Sequence, residues 1–161
     1  MLRHGLAALL ASAALAAHAQ SPAPAAVAWE IQVVRDGQTI DTFKETTTVG
    51  QTRTDTHHYP ASVSVGCGDK ARVFPAERTR AVTVAPLAAD GGAITLALDV
   101  QETLDDDSAT PNADPCMPAS PRQIVASHPG LAVGGTSWTD WTLIANHPQL
   151  VYRVRAHVAK D

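Results

Sequence analysis

The segment AITLALDVQ, residues 93–101, alternates without a break. Ile94, Leu96, Leu98 and Val100 fall on one side of an extended chain, and Thr95, Ala97, Asp99 and Gln101 on the other. Strand side chains repeat every two residues, so this is a strand with one buried and one wetted face. VAWEIQVV follows the same rule, with Val27, Trp29, Ile31 and Val33 against Ala28, Glu30 and Gln32. In LVYRVRAHV, Leu150, Tyr152, Val154, Ala156 and Val158 are expected inside and Arg153, Arg155 and His157 outside. ASVSVGC, RTRAVTVAP, QIVAS and WTLIAN read as further short strands, and no segment beyond the N-terminal stretch carries the 3.6-residue period of a helix. The expected fold is all-β: a single antiparallel β-sandwich or open barrel.

Turn residues divide these strands. Asp36-Gly37 is a strong two-residue hairpin signal, and as a regular turn it predicts Val33 opposite Ile40 and Ile31 opposite Thr42. Pro60 is expected to break the strand of THHYPASV, and Pro86 to end RTRAVTVAP. LAADGG and HPGLAVGG are expected to hold turns, and residues 103–122, with four prolines, to form one long acidic loop.

The N-terminus, MLRHGLAALLASAALAAHAQ, has a basic front, an apolar run from Leu6 to Ala17 and small residues at 17 and 19. This is the pattern of a signal peptide cleaved after Ala19, which predicts a periplasmic or secreted protein. Residues 20–28 then read as a flexible lead-in and 29–161 as one domain. Removing residues 1–19 leaves 142 residues and takes away Arg3, so the net charge of −4 becomes −5. Such an acidic chain is poorly suited to nucleic acid or anionic lipid, and no later segment is apolar enough to span a membrane. Cys67 and Cys116 are the only cysteines; in an oxidising compartment they are expected to pair.

Three groups of residues are candidates for chemistry. His57 and His58 could hold a metal, but adjacent strand residues project to opposite faces. Asp105, Asp106, Asp107 and Asp114 lack the alternate spacing and the glycine of a calcium loop, and read as a solvated acidic surface. Trp138 and Trp141, three apart, are expected on opposite faces, one in the core and one available to a partner or sugar. No nucleophile elbow and no carboxylate pair is singled out, and no motif calls for a cofactor.

AVTVAPLAADGGAITLALDVQET (81–103) and SPRQIVASHPGLAVGG (120–135) resemble strand–turn–strand segments of the β-domain of secretins, the outer-membrane ring proteins of secretion and type IV pilus systems. The resemblance implies a shared β-hairpin element and an envelope protein partner. The chain is too short for the family's ring-building domains, so the element is expected without a ring. The sequence thus predicts an exported, non-enzymatic binding or accessory protein that acts through the 103–122 loop and the surroundings of Trp138. The alternatives are a fibre or adhesin subunit that exchanges its N-terminal strand, and a small metal-binding protein or hydrolase.

Overall fold

A computed structural model describes residues 23–90, 92–105, 116, 121–146 and 148–160. The expected signal peptide lies outside them. Eight strands run in chain order: β1 (Ala26–Arg35), β2 (Gln38–Thr48), β3 (Arg53–Val65), β4 (Arg72–Asp90), β5 (Ala93–Leu104), β6 (Arg122–Gly134), β7 (Thr139–Ile144) and β8 (Leu150–Val158). They form two antiparallel four-stranded sheets packed as a β-sandwich, ordered β2-β1-β8-β7 and β3-β4-β5-β6. The second sheet is a plain meander. The first joins two hairpins by pairing the two end strands of the domain, β1 and β8, at its centre.

Alternation supplies the core. Val27, Trp29, Ile31 and Val33 of β1 and Leu150, Tyr152, Val154 and Ala156 of β8 face Val82 and Val84 of β4 and Ile94, Leu96, Leu98 and Val100 of β5. Val158, expected inside, sits at the strand end and is exposed. β1 also begins at Ala26, inside the expected lead-in.

The first hairpin departs from its expected register. Asp36 and Gly37 both adopt positive φ, as the turn requires. Val34 pairs with Thr39, but Val33 pairs with Asp41 and Ile31 with Phe43. Ile40 is therefore an extra residue on a β-bulge, which points Asp41 and Phe43 inward where a regular ladder would place Ile40 and Thr42. Phe43 is fully buried; Ile40 is exposed.

Prolines expected to end strands do not. β3 runs through Pro60, because β3 is an edge strand and a missing N–H can face outward. β4 runs through Pro75 and Pro86. Pro75 has a neighbour only in β3 and Pro86 only in β5, so neither loss interrupts a ladder on both sides. A bulge follows Pro86, and the ladder continues through the expected LAADGG turn as far as the pair Asp90–Ala93, with Gly92 at φ +90°. Likewise β6 passes through His128-Pro129-Gly130 as a bulge rather than a turn. The long loop is shorter at both ends than expected, since Thr103 and Leu104 belong to β5 and Arg122 to β6.

Cys67 and Cys116 form a disulfide, with Cα atoms 4.7 Å apart. The Gly66 N–H also donates to the Cys116 carbonyl. Together they fasten the middle of the β5–β6 loop to the tip of the β3–β4 hairpin.

Candidate functional site

Extending the inward phase of β3, β4 and β5 past the apolar residues brings polar side chains between the sheets. His57, Arg80 and Glu102 form one register row across the three strands. Arg80 is 3% exposed and Glu102 1%. A buried charge is tolerable only when paired and hydrogen-bonded, and here the pairing is extensive. Arg80 Nη2 donates to Glu102 Oε1, and Arg80 Nη1 donates to Asp41 Oδ2 at 2.8 Å. From the facing sheet, the Tyr152 hydroxyl donates to Glu102 Oε2 at 2.8 Å. The Tyr59 ring lies 5.1 Å from the guanidinium carbon of Arg80. Among the described residues, Arg80 Nε is the one buried side-chain polar atom without a hydrogen-bond partner.

The Ile40 bulge is what delivers Asp41 to this row. Its carboxylate accepts from Arg80, from the Thr42 N–H at 2.8 Å and from His57 Nδ1 at 2.9 Å. An ionised carboxylate only accepts, so His57 carries its proton on Nδ1. The imidazole stacks on Phe43, centroids 4.1 Å apart. Burial pushes the Asp41 carboxyl up, but the hydrogen bonds from His57, Arg80 and Thr42 and the Arg80 charge outweigh it and hold it below the ordinary aspartate value. Burial, then Glu102, raises Tyr152; Arg80, despite burial, is held firmly protonated by Glu102 and Asp41.

Above this network is a recess of about 320 Å³ lined by Ile40, Asp41, His57, His58, Tyr59 and Arg80. Its two histidines diverge. His57 turns in to Asp41, while His58 lies on the outer face, Nδ1 2.9 Å from Glu77 Oε1. They share no ion in this arrangement, and among the described residues no three His, Cys, Asp or Glu side chains converge as metal ligands.

The outer face of the first sheet carries a second constellation. Glu30 of β1 is flanked in register by Lys44 of β2 and Arg155 of β8. It bonds Arg155 and lies 3.2 Å from Lys44 Nζ. Burial raises the Glu30 carboxyl, but the bonds from Arg155 and Lys44 bring it below its ordinary value. The next row is small: Ala28 stands between Thr46 and His157. Gly135 and Thr136, on the crossing from β6, wall off one side. The result is an open recess of about 580 Å³ with a floor of Ala28 and Thr46 and a rim of Glu30, Lys44, Arg155 and His157. Gly135 takes φ +54°, a left-handed conformation that favours glycine, as the chain turns along this wall.

Trp138 borders the recess across Arg155. Its ring lies 4.4 Å from the Arg155 guanidinium carbon and 5.5 Å from that of Arg153, and it remains partly exposed. Trp141 pairs with Tyr152 and faces in, packing at the core edge against Tyr152 and His128. The two tryptophans thus occupy opposite faces of the sheet. Asp105 accepts from Arg78 Nε and Nη2 at 2.9 and 2.7 Å, which ties the start of the long loop to β4. Asp106, Asp107 and Asp114 lie outside the described residues.

These features define a two-sheet antiparallel sandwich with an ion-paired cluster beside its apolar core and an outer-face recess bordered by Trp138. Comparison with known protein families, with curated proteins and with solved structures finds no match.

Sequence reasoning passed over Glu30, Lys44, Arg155, Asp41, Arg80 and Glu102 as site residues. For Arg80 and Glu102 a signal existed: both keep the parity of the buried valines and leucines in their strands. Asp41 had none, because its inward position depends on the bulge.

Proposed function

We propose that this chain is an exported, non-enzymatic β-sandwich that serves as a binding or accessory protein of the bacterial envelope. Its binding face is the outer side of the β2-β1-β8-β7 sheet. The observation that carries this reading is Trp138 laid over Arg153 and Arg155 at the rim of the 580 Å³ recess. A partly exposed tryptophan held by two guanidinium groups is a preorganised anchor, since little side-chain entropy is left to lose on binding. The Cys67–Cys116 disulfide supports export. The likeness of 81–103 and 120–135, segments that include the β4 and β5 residues 81–90 and 93–103 and the whole of β6, to secretin segments points the partner search toward secretion and pilus machinery.

The interior constellation favours support over catalysis. Asp41 is already engaged by three donors and Glu102 by two. Exchange of the N-terminal strand, as in a fibre subunit, is disfavoured by its position. β1 is paired on both sides and contributes four core residues, so its departure would dismantle the first sheet.

In-cell photo-crosslinking tests the proposed face. A benzophenone amino acid at Thr136, on the recess wall, should give a discrete adduct that Trp138→Ala abolishes. The same probe at Thr54, on the other sheet, should not. Absence of an adduct at Thr136, or identical adducts at both positions, would overturn the proposal.

A further inference from the structure

Resting on that choice of face, the geometry points to an uncharged oligosaccharide as its ligand, with one sugar ring in the recess over Ala28 and Thr46 and an adjoining ring against Trp138. A pyranose is amphipathic: its C–H faces seek an apolar or aromatic surface and its hydroxyls seek donors and acceptors in the ring plane. The recess supplies both. Its floor carries the short side chains of Ala28 and Thr46, and its rim carries an acceptor in Glu30 and donors in Lys44 and Arg155, with His157 able to serve as either.

Other ligand classes fit less well. Lys44 and Arg155 would attract a phosphate or a polyanion, but Glu30 sits between them and is bonded to both. An anion entering there would meet a carboxylate at the centre of the site. An alkyl chain would desolvate Glu30, Lys44, Arg155 and His157 without offering any hydrogen bond in return. A neutral polyol avoids both penalties, because it can hydrogen-bond to the ion pairs without breaking them. The size also agrees. At about 580 Å³ the recess falls within the range of small-molecule sites and admits a sugar ring with room for a linked neighbour. Trp138 lies beside Arg155, its ring 4.4 Å from the guanidinium carbon, where that neighbour would emerge.

The test is titration calorimetry, with tryptophan fluorescence in parallel, of the disulfide-bonded domain against cellotriose, chitotriose, laminaritriose, maltotriose and mannotriose. Inorganic phosphate and trigalacturonate serve as the charged comparators. At least one neutral trisaccharide should bind saturably with Kd at or below about 1 mM. Its affinity should change by less than about twofold between low and high salt, as an uncharged ligand requires. Trp138→Ala should weaken it at least tenfold, Trp138→Phe should restore part of the loss, and Trp141→Phe, on the core side, should leave it unchanged. A panel without saturable binding, equal binding by Trp138→Ala, or tighter binding of a charged comparator would overturn the inference. If the panel fails while the Thr136 adduct forms, the ligand class is wrong and the binding face stands. If both fail, the face falls with it.

Discussion

Arg80 and Glu102 face each other as a register pair of β4 and β5, both sealed between the two sheets and joined through Nη2 and Oε1. Buried ion pairs of this kind contribute less to net stability than to the cost of breaking them, because a survivor is left charged and unsolvated.

Removing one partner should therefore be far worse than removing both. Arg80→Met is expected to destabilise the fold by about 3–5 kcal/mol, and Glu102→Leu similarly. The double variant Arg80→Met/Glu102→Leu is expected to recover most of that loss. Urea unfolding of the three proteins gives the comparison; a double variant as unstable as the sum of the singles would contradict it.

Asp41 sets an acid limit. Its folded pKa lies below its ordinary value of 3.8, so its contribution is complete above that value and is lost as pH falls through the lower, folded one. Asp41→Asn is expected to flatten the acid limb of the stability profile below about pH 4 and to lower stability at pH 7. Urea midpoints measured from about pH 2 to pH 7 decide the matter: an unchanged acid slope in Asp41→Asn would refute it.

The bulge makes an unusual prediction about deletions. Removing Ile40 leaves Val34–Thr39 and Val33–Asp41 as successive pairs of a regular ladder. The domain should remain folded, with Phe43 still inside. Deleting Thr42 also restores a regular ladder with Phe43 opposite Ile31, but it puts Ile40 inside and turns Asp41 outward, so Arg80 loses its Asp41 partner and this variant is expected to be the less stable by about 1–3 kcal/mol. Thermal melts of the two deletion variants should differ accordingly.

How far the sequence reached follows from the same hairpin. Strand faces were legible wherever alternation was strict, as in Ile94–Val100 and Leu150–Ala156. Strand ends were not. Pro60, Pro75 and Pro86 look like stops in one dimension, yet each lies where the second ladder is missing, a fact of sheet order rather than local sequence. The recess was invisible for the same reason. Glu30, Lys44 and Arg155 are distant in the chain and meet only because β1 lies between β2 and β8. Trp138 was legible as an outward aromatic, but its two arginines acquire meaning only from the β7–β8 register.

The disulfide closes a loop across 49 residues. Reduction, or Cys67→Ser with Cys116→Ser, is expected to lower stability by about 4 kcal/mol on chain-entropy grounds. The oxidised protein should show no reactive thiol under denaturing conditions. Two thiols in protein recovered from an oxidising compartment would count against the bond.

The borders of the two sheets are guarded. β3 carries Pro60, β6 the Pro129-Gly130 bulge, β2 the Ile40 bulge, and β7 is only six residues long. Each device spoils the straight row of peptide groups that a stray strand would need for pairing. On the proposed reading, a molecule armoured in this way would meet a partner broadside, side chain against surface. Its recognition properties can then be rewritten by substitutions on one face while the backbone ladder beneath stays untouched.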